Sequence, residues 1–297
     1  MSPGRWKAPA FAALLAILSV SKATELESTR GMSPHKRWRR DKIVQTILQD
    51  SESFSCGNTE KTTIVLMSYS PDRGDNVARV FQTYGAMEAV FDRIVFIWNN
   101  QNAQPPEIPS DTKVPIILWK APRNTLNNRF NVSRFVRTPS VVSVDDDLLV
   151  NEPMICWMIK THQEYPSRIV GLDKRSFGPD GTYSYIQMPG WLPVSLTKSW
   201  IISTNFLGVY MRDSNLTGFV DEVVCCEDIG MSFVVRNATG DNAQYAMALP
   251  LNRTYRRREL PEPGGLSVSG GRQKWLDLRK HCVRWMMRHF DFKLKDK

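Results

Sequence analysis

Through the middle of the chain, apolar residues come in short dense runs separated by polar turns. Residues 62–69 (TTIVLMSY) form a β-branched, apolar run that stops at Ser70, Pro71 and Asp72. That triplet reads as a turn, because proline presets φ and the serine and aspartate side chains bind nearby backbone groups. The period then changes. Val77, Val80, Phe81 and Tyr84 recur at three- and four-residue steps, which puts them on one face of a helix over residues 75–87. Strand-type runs return at 93–100 (RIVFIWNN), 114–121 (VPIILWKA) and 140–147 (SVVSVDDD). Asn151-Glu-Pro marks the next helix start, with Pro153 in the first turn where its missing N–H is harmless, and that helix runs to Glu164.

This alternation predicts an α/β sheet with crossover connections. In such sheets ligands lie beyond the carboxyl ends of the strands. The polar residues that close these strands are Arg73, Asn99, Asn100, Asp145, Asp146 and Asp147. One pocket formed by all of them is therefore expected.

The three aspartates are the strongest local oddity. They stand between the apolar residues Val141, Val142 and Val144 and a second apolar run, Leu148, Leu149 and Val150. Like charges held beside buried segments cost free energy unless a cation compensates them. With only four histidines in the chain, clustered carboxylates point to a hard, oxygen-bound cation, Mn²⁺ or Mg²⁺, rather than zinc. Mg²⁺ commonly takes one or two protein carboxylates and completes its shell with water and phosphate, so a diphosphate ligand is expected with it. Two other readings stay open. One is a solvated turn in which a single carboxylate caps a helix. The other is a phosphatase Asp-x-Asp-x-Thr/Val motif, against which stands Leu149 in the Thr/Val place.

Composition adds an address. Arg5 and Lys7 precede an apolar stretch at residues 8–20, followed by Ser21, Lys22 and Ala23. This is the layout of a secretory signal over residues 1–23. Left uncleaved, it would anchor a single-pass type II membrane protein, although it is short of the roughly 20 residues a span needs. Either way the chain is expected in the secretory pathway, in the lumen of the endoplasmic reticulum or Golgi, or secreted. Residues 24–61 are polar, carry the basic cluster HKRWRRDK at 35–42, and read as a stalk. Glycosylation sequons begin at Asn131, Asn215, Asn237 and Asn252. The five cysteines, Cys56, Cys156, Cys225, Cys226 and Cys282, include no Cys-x-x-Cys pair. An oxidising lumen permits one or two disulfides among them and leaves at least one thiol.

The 297 residues are 42% hydrophobic, ample for a large core, and the net charge of +9 favours acidic partners. Nucleotides, phospholipids and nucleic acid all qualify. The signal and the scattering of the basic residues speak against nucleic acid.

VDDDLLV (144–150), the upstream NTLNNRF (124–130) and the downstream CEDIGMSFVVRNATG (226–240) together resemble the exostosin-like glycosyltransferases. FIWNN (96–100), RIVGLDKR (168–175) and a tail of GLSVSGG and RKHC (265–271 and 279–282) match as well, all in the right order. The resemblance spans about residues 62–290 and includes plant-type members that glycosylate inositol phosphorylceramide. It implies a GT-A fold over residues 62–297, with a mixed sheet flanked by helices. It also implies a metal, Mn²⁺ or Mg²⁺, and a nucleotide-sugar donor (UDP-N-acetylhexosamine, another UDP-sugar or GDP-mannose). The acceptor would be a glycan or glycosphingolipid, and transfer would retain configuration.

Carried over by position, Asp147 would ligate the metal, and Asp145 and Asp146 would contact the ribose and donor sugar. Arg73, Asn99, Asn124 and Arg129 would line the nucleotide and diphosphate. Asp228 would be the catalytic carboxylate and Arg279 a diphosphate-binding arginine. Cys226 and Cys282 would be joined, with Cys225 as the rival partner. Simpler readings stand beside these. Asp228 would favour any helix N-terminus, Asn124 and Asn128 suit turns, and Arg129 and Arg279 could be solvated. The competing function is a secreted basic protein that binds anionic glycans or lipids without turnover.

Overall fold

In a computed structural model, the structure describes residues 56–57, 59–240, 244–246, 256–261 and 271–292. Residues 1–23, most of 24–61 and Asn252 lie outside them. Four consecutive parallel strands of the main sheet are β1 (Thr62–Ser68), β2 (Phe91–Trp98), β3 (Ile116–Lys120) and β4 (Ser140–Asp145). Helix α1 (Gly74–Gly85) links the first two. After β4 come the short β5 (Leu148–Val150) and helix α2 (Glu152–Glu164). These bounds match the expected elements to within a few residues.

Beyond α2 the chain is more finely divided. It forms β6 (Ile169–Gly171), β7 (Lys174–Phe177), β8 (Tyr183–Ser184), β9 (Leu192–Ser195) and β10 (Ser199–Ser203). Helices α3 (Asn205–Arg212), α4 (Ser214–Val223) and α5 (Glu227–Thr239) follow. Two short strands, β11 (Gln244–Ala246) and β12 (Arg257–Glu259), precede the last helix, α6 (Gly271–His289). The seven-stranded sheet runs β11-β6-β10-β4-β1-β2-β3. It is mixed, because β10 lies antiparallel to both β4 and β6. β5 pairs with β12, and β8-β7-β9 form a small antiparallel sheet.

Period-two alternation fills both faces of the main sheet. Val65 and Met67 of β1, Val95 and Ile97 of β2 and Val141 of β4 point into one core with residues of α3, α4, α5 and α6. Ile64, Leu66, Ile94, Phe96, Val142 and Val144 point into the other, under α1 and α2. Burial on both faces explains why β1 has no exposed position. Each fully buried Ile, Leu or Val contributes about 1.5–3 kcal/mol as an upper bound.

The strand ends relevant to function are aligned by register. Met67 sits opposite both Asp145 and Ile97, and Ser68 opposite Trp98. After the aspartates the chain is pinned by Tyr84, whose hydroxyl donates to the Leu148 carbonyl (2.9 Å) and accepts from Val150 N (3.1 Å). The fold also begins before Thr62. Cys56, within the expected stalk, is buried and bonded to Cys156 of α2. Among the described residues, no helix is long and apolar enough to cross a membrane.

Candidate active site

The acidic end of β4 meets two arginines, each delivered by a 3₁₀ turn. Ser70 Oγ accepts from Asp72 N and so starts the turn Pro71–Arg73. Its last residue, Arg73, donates to Asp146 Oδ1 and lies 3.7 Å from Asp147 Oδ2. Thr125 Oγ1 likewise accepts from Asn127 N at the start of Leu126–Arg129. Arg129 is buried and donates to Asp145 Oδ1 and Ser143 Oγ, both at 2.9 Å.

Two guanidiniums thus face three carboxylates, and Asp147 is the one left over. Its Oδ1 is buried without a hydrogen-bond partner among the described residues. Burial, reinforced by the charges of Asp145 and Asp146, pushes its carboxyl up to about 7. Burial also raises Asp146, against the pull of Arg73. An orphaned carboxylate oxygen among oxygen-only donors is the chemistry that Mn²⁺ or Mg²⁺ requires, so the residues fit such an ion. Among the described residues, no three His, Cys, Asp or Glu side chains converge as a complete cage.

The asparagines divide by task. Asn99 is buried, donates to the Thr125 carbonyl (2.9 Å) and accepts from Asn128 Nδ2 (2.7 Å). Asn127 donates to Asp221 Oδ1 (2.7 Å) and to the Thr217 carbonyl (2.9 Å), and accepts from the Tyr210 hydroxyl (2.8 Å). Asn99, Asn127 and Asn128 therefore fasten the loop that carries Arg129. Asn124, by contrast, is exposed and has no hydrogen bond among the described residues.

A second cluster forms where α5 begins. Asp228 is buried in the first turn, where its Oδ1 accepts from Ile229 N (2.7 Å). Its Oδ2 receives Arg279 Nη2 from α6 at 2.5 Å. Arg279 also donates to the Tyr183 hydroxyl (3.1 Å) and lies over the Tyr183 ring, 4.9 Å from its centroid. The Cys226–Cys282 disulfide ties the start of α5 to α6 one turn beyond Arg279. Cys225 keeps its thiol, which burial pushes up to about 11. Between α4 and α5, Val224 (φ 51°) and Cys226 (φ 75°) are both left-handed. That conformation is costly for side chains with a Cβ, above all for β-branched valine.

One buried carboxylate escaped the sequence reading. Glu227 accepts from Thr197 Oγ1 (3.1 Å), and burial followed by the charge of Asp228 pushes it up to about 7. Arg129 and Arg279 both oppose that rise. Thr197 adjoins Lys198, whose carbonyl accepts from Asp145 N (3.1 Å). Glu227 thus lies within the electrostatic reach of Arg129 in the first cluster and of Asp228 and Arg279 in the second. Its position beside Asp228 in "CED" was the available signal, but an acid at a helix start reads first as a dipole partner. Tyr183 gave no motif signal. Asn131, Asn215 and Asn237 are exposed.

Residues 62–297 match the model of the Glycosyl transferase family 64 domain. The chain belongs to this family, the exostosin-like glycosyltransferases. This family 64 chain is 28% identical over 235 residues to glucosamine inositolphosphorylceramide transferase 1 of Arabidopsis thaliana, covering 77% of the chain and 30% of that relative. It is 24% identical over 269 residues to exostosin-like 2 of Mus musculus, covering 85% of the chain and 79% of that relative. Exostosin-2 of Homo sapiens is 27% identical over 187 residues, 60% of the chain and 26% of that relative. The family 64 chain therefore spans less than a third of the plant relative's length. Its fold matches the crystal structure of GalNAc-T7 with UDP, GalNAc and Mn²⁺ at a TM-score of 0.51. That match covers 79% of this chain and 50% of the other at 7% identity, and it establishes the GT-A architecture.

Proposed function

We propose that the chain transfers a sugar from a nucleotide-sugar donor to a glycan or glycolipid acceptor, with retention of configuration, in the lumen of the secretory pathway. The supporting observation is the pair of arginine–carboxylate clusters, the first of which leaves one oxygen of Asp147 without a hydrogen bond just beyond the carboxyl end of β4. The sugar names in two of the matched titles make UDP-linked hexosamines the first donors to test, with GDP-mannose next. Glycosylation at Asn131, Asn215, Asn237 and Asn252 belongs to the same reading.

Asp147 would hold the Mn²⁺ or Mg²⁺, which when bound neutralises the diphosphate as it leaves. Arg73 and Arg129 line the phosphates and Asn124 the nucleotide. Asp145 and Asp146 are left to orient ribose and donor sugar. Arg279, its charge fixed by Asp228, adds positive charge where the leaving group becomes anionic, the kind of stabilisation that usually dominates catalysis. Asp228 orients the acceptor hydroxyl for attack on the face the diphosphate leaves. The carbon–phosphate-oxygen bond breaks, the acceptor oxygen bonds to the anomeric carbon, and the acceptor proton passes to the departing phosphate oxygen.

Hydrolysis of a panel of nucleotide sugars by the purified chain, with and without Mn²⁺, tests the reading. Turnover of one donor only with the ion is expected. Binding with no turnover of any donor, with or without an acceptor mixture, would leave the competing binding-protein function.

A further inference from the structure

We infer that the loop at residues 185–191 is a lip that docks on the surface of an anionic lipid bilayer. The loop joins β8 to β9 and carries Ile186 and Met188 outward, 66% and 36% exposed, with exposed Pro189 beside them. Single apolar residues on a surface need no explanation. Here the backbone is held so that they stay outside. Ser176 Oγ donates to the Ile186 carbonyl (2.6 Å) and accepts from Met188 N (3.3 Å). Ser184 Oγ accepts from Ile186 N (3.2 Å), and the Met188 carbonyl accepts from Trp191 N (3.1 Å). Trp191 packs against Gly178, where a Cβ would come within 2.8 Å of the indole. A rigid tip presenting isoleucine and methionine to water suits an interface that removes them from it.

The charge around the tip specifies the partner. Arg175 and Arg272 each lie 5.2 Å from the Tyr185 ring centroid, a cation–π arrangement that holds both guanidiniums at the residue that precedes Ile186. Neither has a carboxylate partner among the described residues. The acids of the same small sheet region are already engaged, Asp173 with Arg257 (2.9 Å) and Asp180 with Lys280 (3.5 Å). Arg175 donates to the Lys174 carbonyl (2.8 Å), but its charge, like that of Arg272, meets no carboxylate among the described residues. These two cations, a tyrosine and a short apolar tip complement a surface of lipid phosphates over hydrocarbon. Each arginine at such a surface favours binding roughly fivefold, and salt screens that gain. The lip also adjoins the candidate site, because Tyr185 stands edge-on to Tyr183 (6.3 Å between centroids) and Tyr183 bonds Arg279. Docking would hold that site against the membrane, within reach of a lipid head group. The docking itself needs no sugar transfer and is tested apart from it.

An uncleaved N-terminal segment would by itself bind vesicles, so the test reads the loop locally. Ile186→Cys in the full chain, labelled with a polarity-sensitive fluorophore, is mixed with phosphatidylcholine vesicles with or without phosphatidylinositol. A blue shift with the anionic vesicles, weakened by salt, is expected. The same label at Val209→Cys on α3 should stay in water. A shift at both positions, at neither, or equally with neutral vesicles overturns the inference. So does a shift that grows with protein concentration in the absence of lipid, which would make the tip a self-association surface. Arg175→Gln with Arg272→Gln should weaken the anionic-vesicle response at Ile186→Cys tenfold or more, and an unchanged response also overturns it. Ile186→Asp with Met188→Asp should leave nucleotide-sugar hydrolysis in solution unchanged, which separates failure of docking from failure of catalysis.

Discussion

The two carboxylate clusters solve the same electrostatic problem in opposite ways. At the end of β4 three consecutive aspartates share two arginines from neighbouring turns, and one acid remains without a hydrogen bond to one of its oxygens. At the start of α5 a single aspartate takes one arginine from a helix 51 residues away, and a disulfide holds the two segments together. The first cluster is left incomplete, which suits the proposed ion site. The second is paired and buried, which suits the proposed positioning role of Asp228. On that reading, electrostatic completeness, more than the number of acids, distinguishes the two.

The sharpest way to break this contrast is to remove Arg279. Arg279→Met strands Asp228 as a buried charge and should lower unfolding free energy by about 3–5 kcal/mol. Denaturant melts read the loss, and adding Asp228→Asn should restore part of it. Equal stability of the single variant and the parent would mean that the pair is not coupled.

Glu227, within reach of both clusters, offers a second test. Its carboxyl is raised in the fold from the ordinary glutamate range near 4.5 to about 7. Stability tied to it is therefore complete below about 4.5 and is lost as pH rises toward 7, by at most about 1.4 kcal/mol per unit. Glu227→Gln should flatten that slope. A slope of unchanged steepness in the variant would place the titration elsewhere.

Asp147→Asn should act in the opposite direction to the change at Arg279. Without metal it removes a buried, crowded carboxylate and should stabilise the fold at neutral pH by about 1–2 kcal/mol. In titration calorimetry the same variant should lose Mn²⁺-dependent nucleotide binding. Destabilisation with binding intact would reverse the assignment of Asp147. The smallest expected effect is that of Thr197→Val, which removes one hydrogen bond to Glu227 at a cost of about 1 kcal/mol.

How much was legible follows from how each feature is encoded. β1, β2 and β4 announce themselves because consecutive residues alternate between two buried faces. The aspartates stand out because they interrupt such a run. The small sheet is another matter. β7, β8 and β9 are two to four residues long, too short for a period to register. Arg279 and Cys282 were reached only through resemblance, since their partners lie on another helix. Glu227, Tyr183 and the Cys56–Cys156 bond acquire meaning only from tertiary neighbours. The stalk looked solvated up to Lys61 for the same reason: one cysteine in a polar stretch does not reveal the helix it joins.

The α5–α6 bond has a consequence in time. Ribosomes release a chain from its N-terminus, so the acidic end of β4 and both of its arginines emerge long before α6 does. Asp228 lacks its arginine until residues 279–282 have emerged and Cys282 can be joined to Cys226. A nascent chain can thus present the acidic end of β4 with both of its arginines while Asp228 still lacks a counter-charge. The Asp228–Arg279 pair is therefore completed late in synthesis, and the Cys226–Cys282 bond then holds its two segments together.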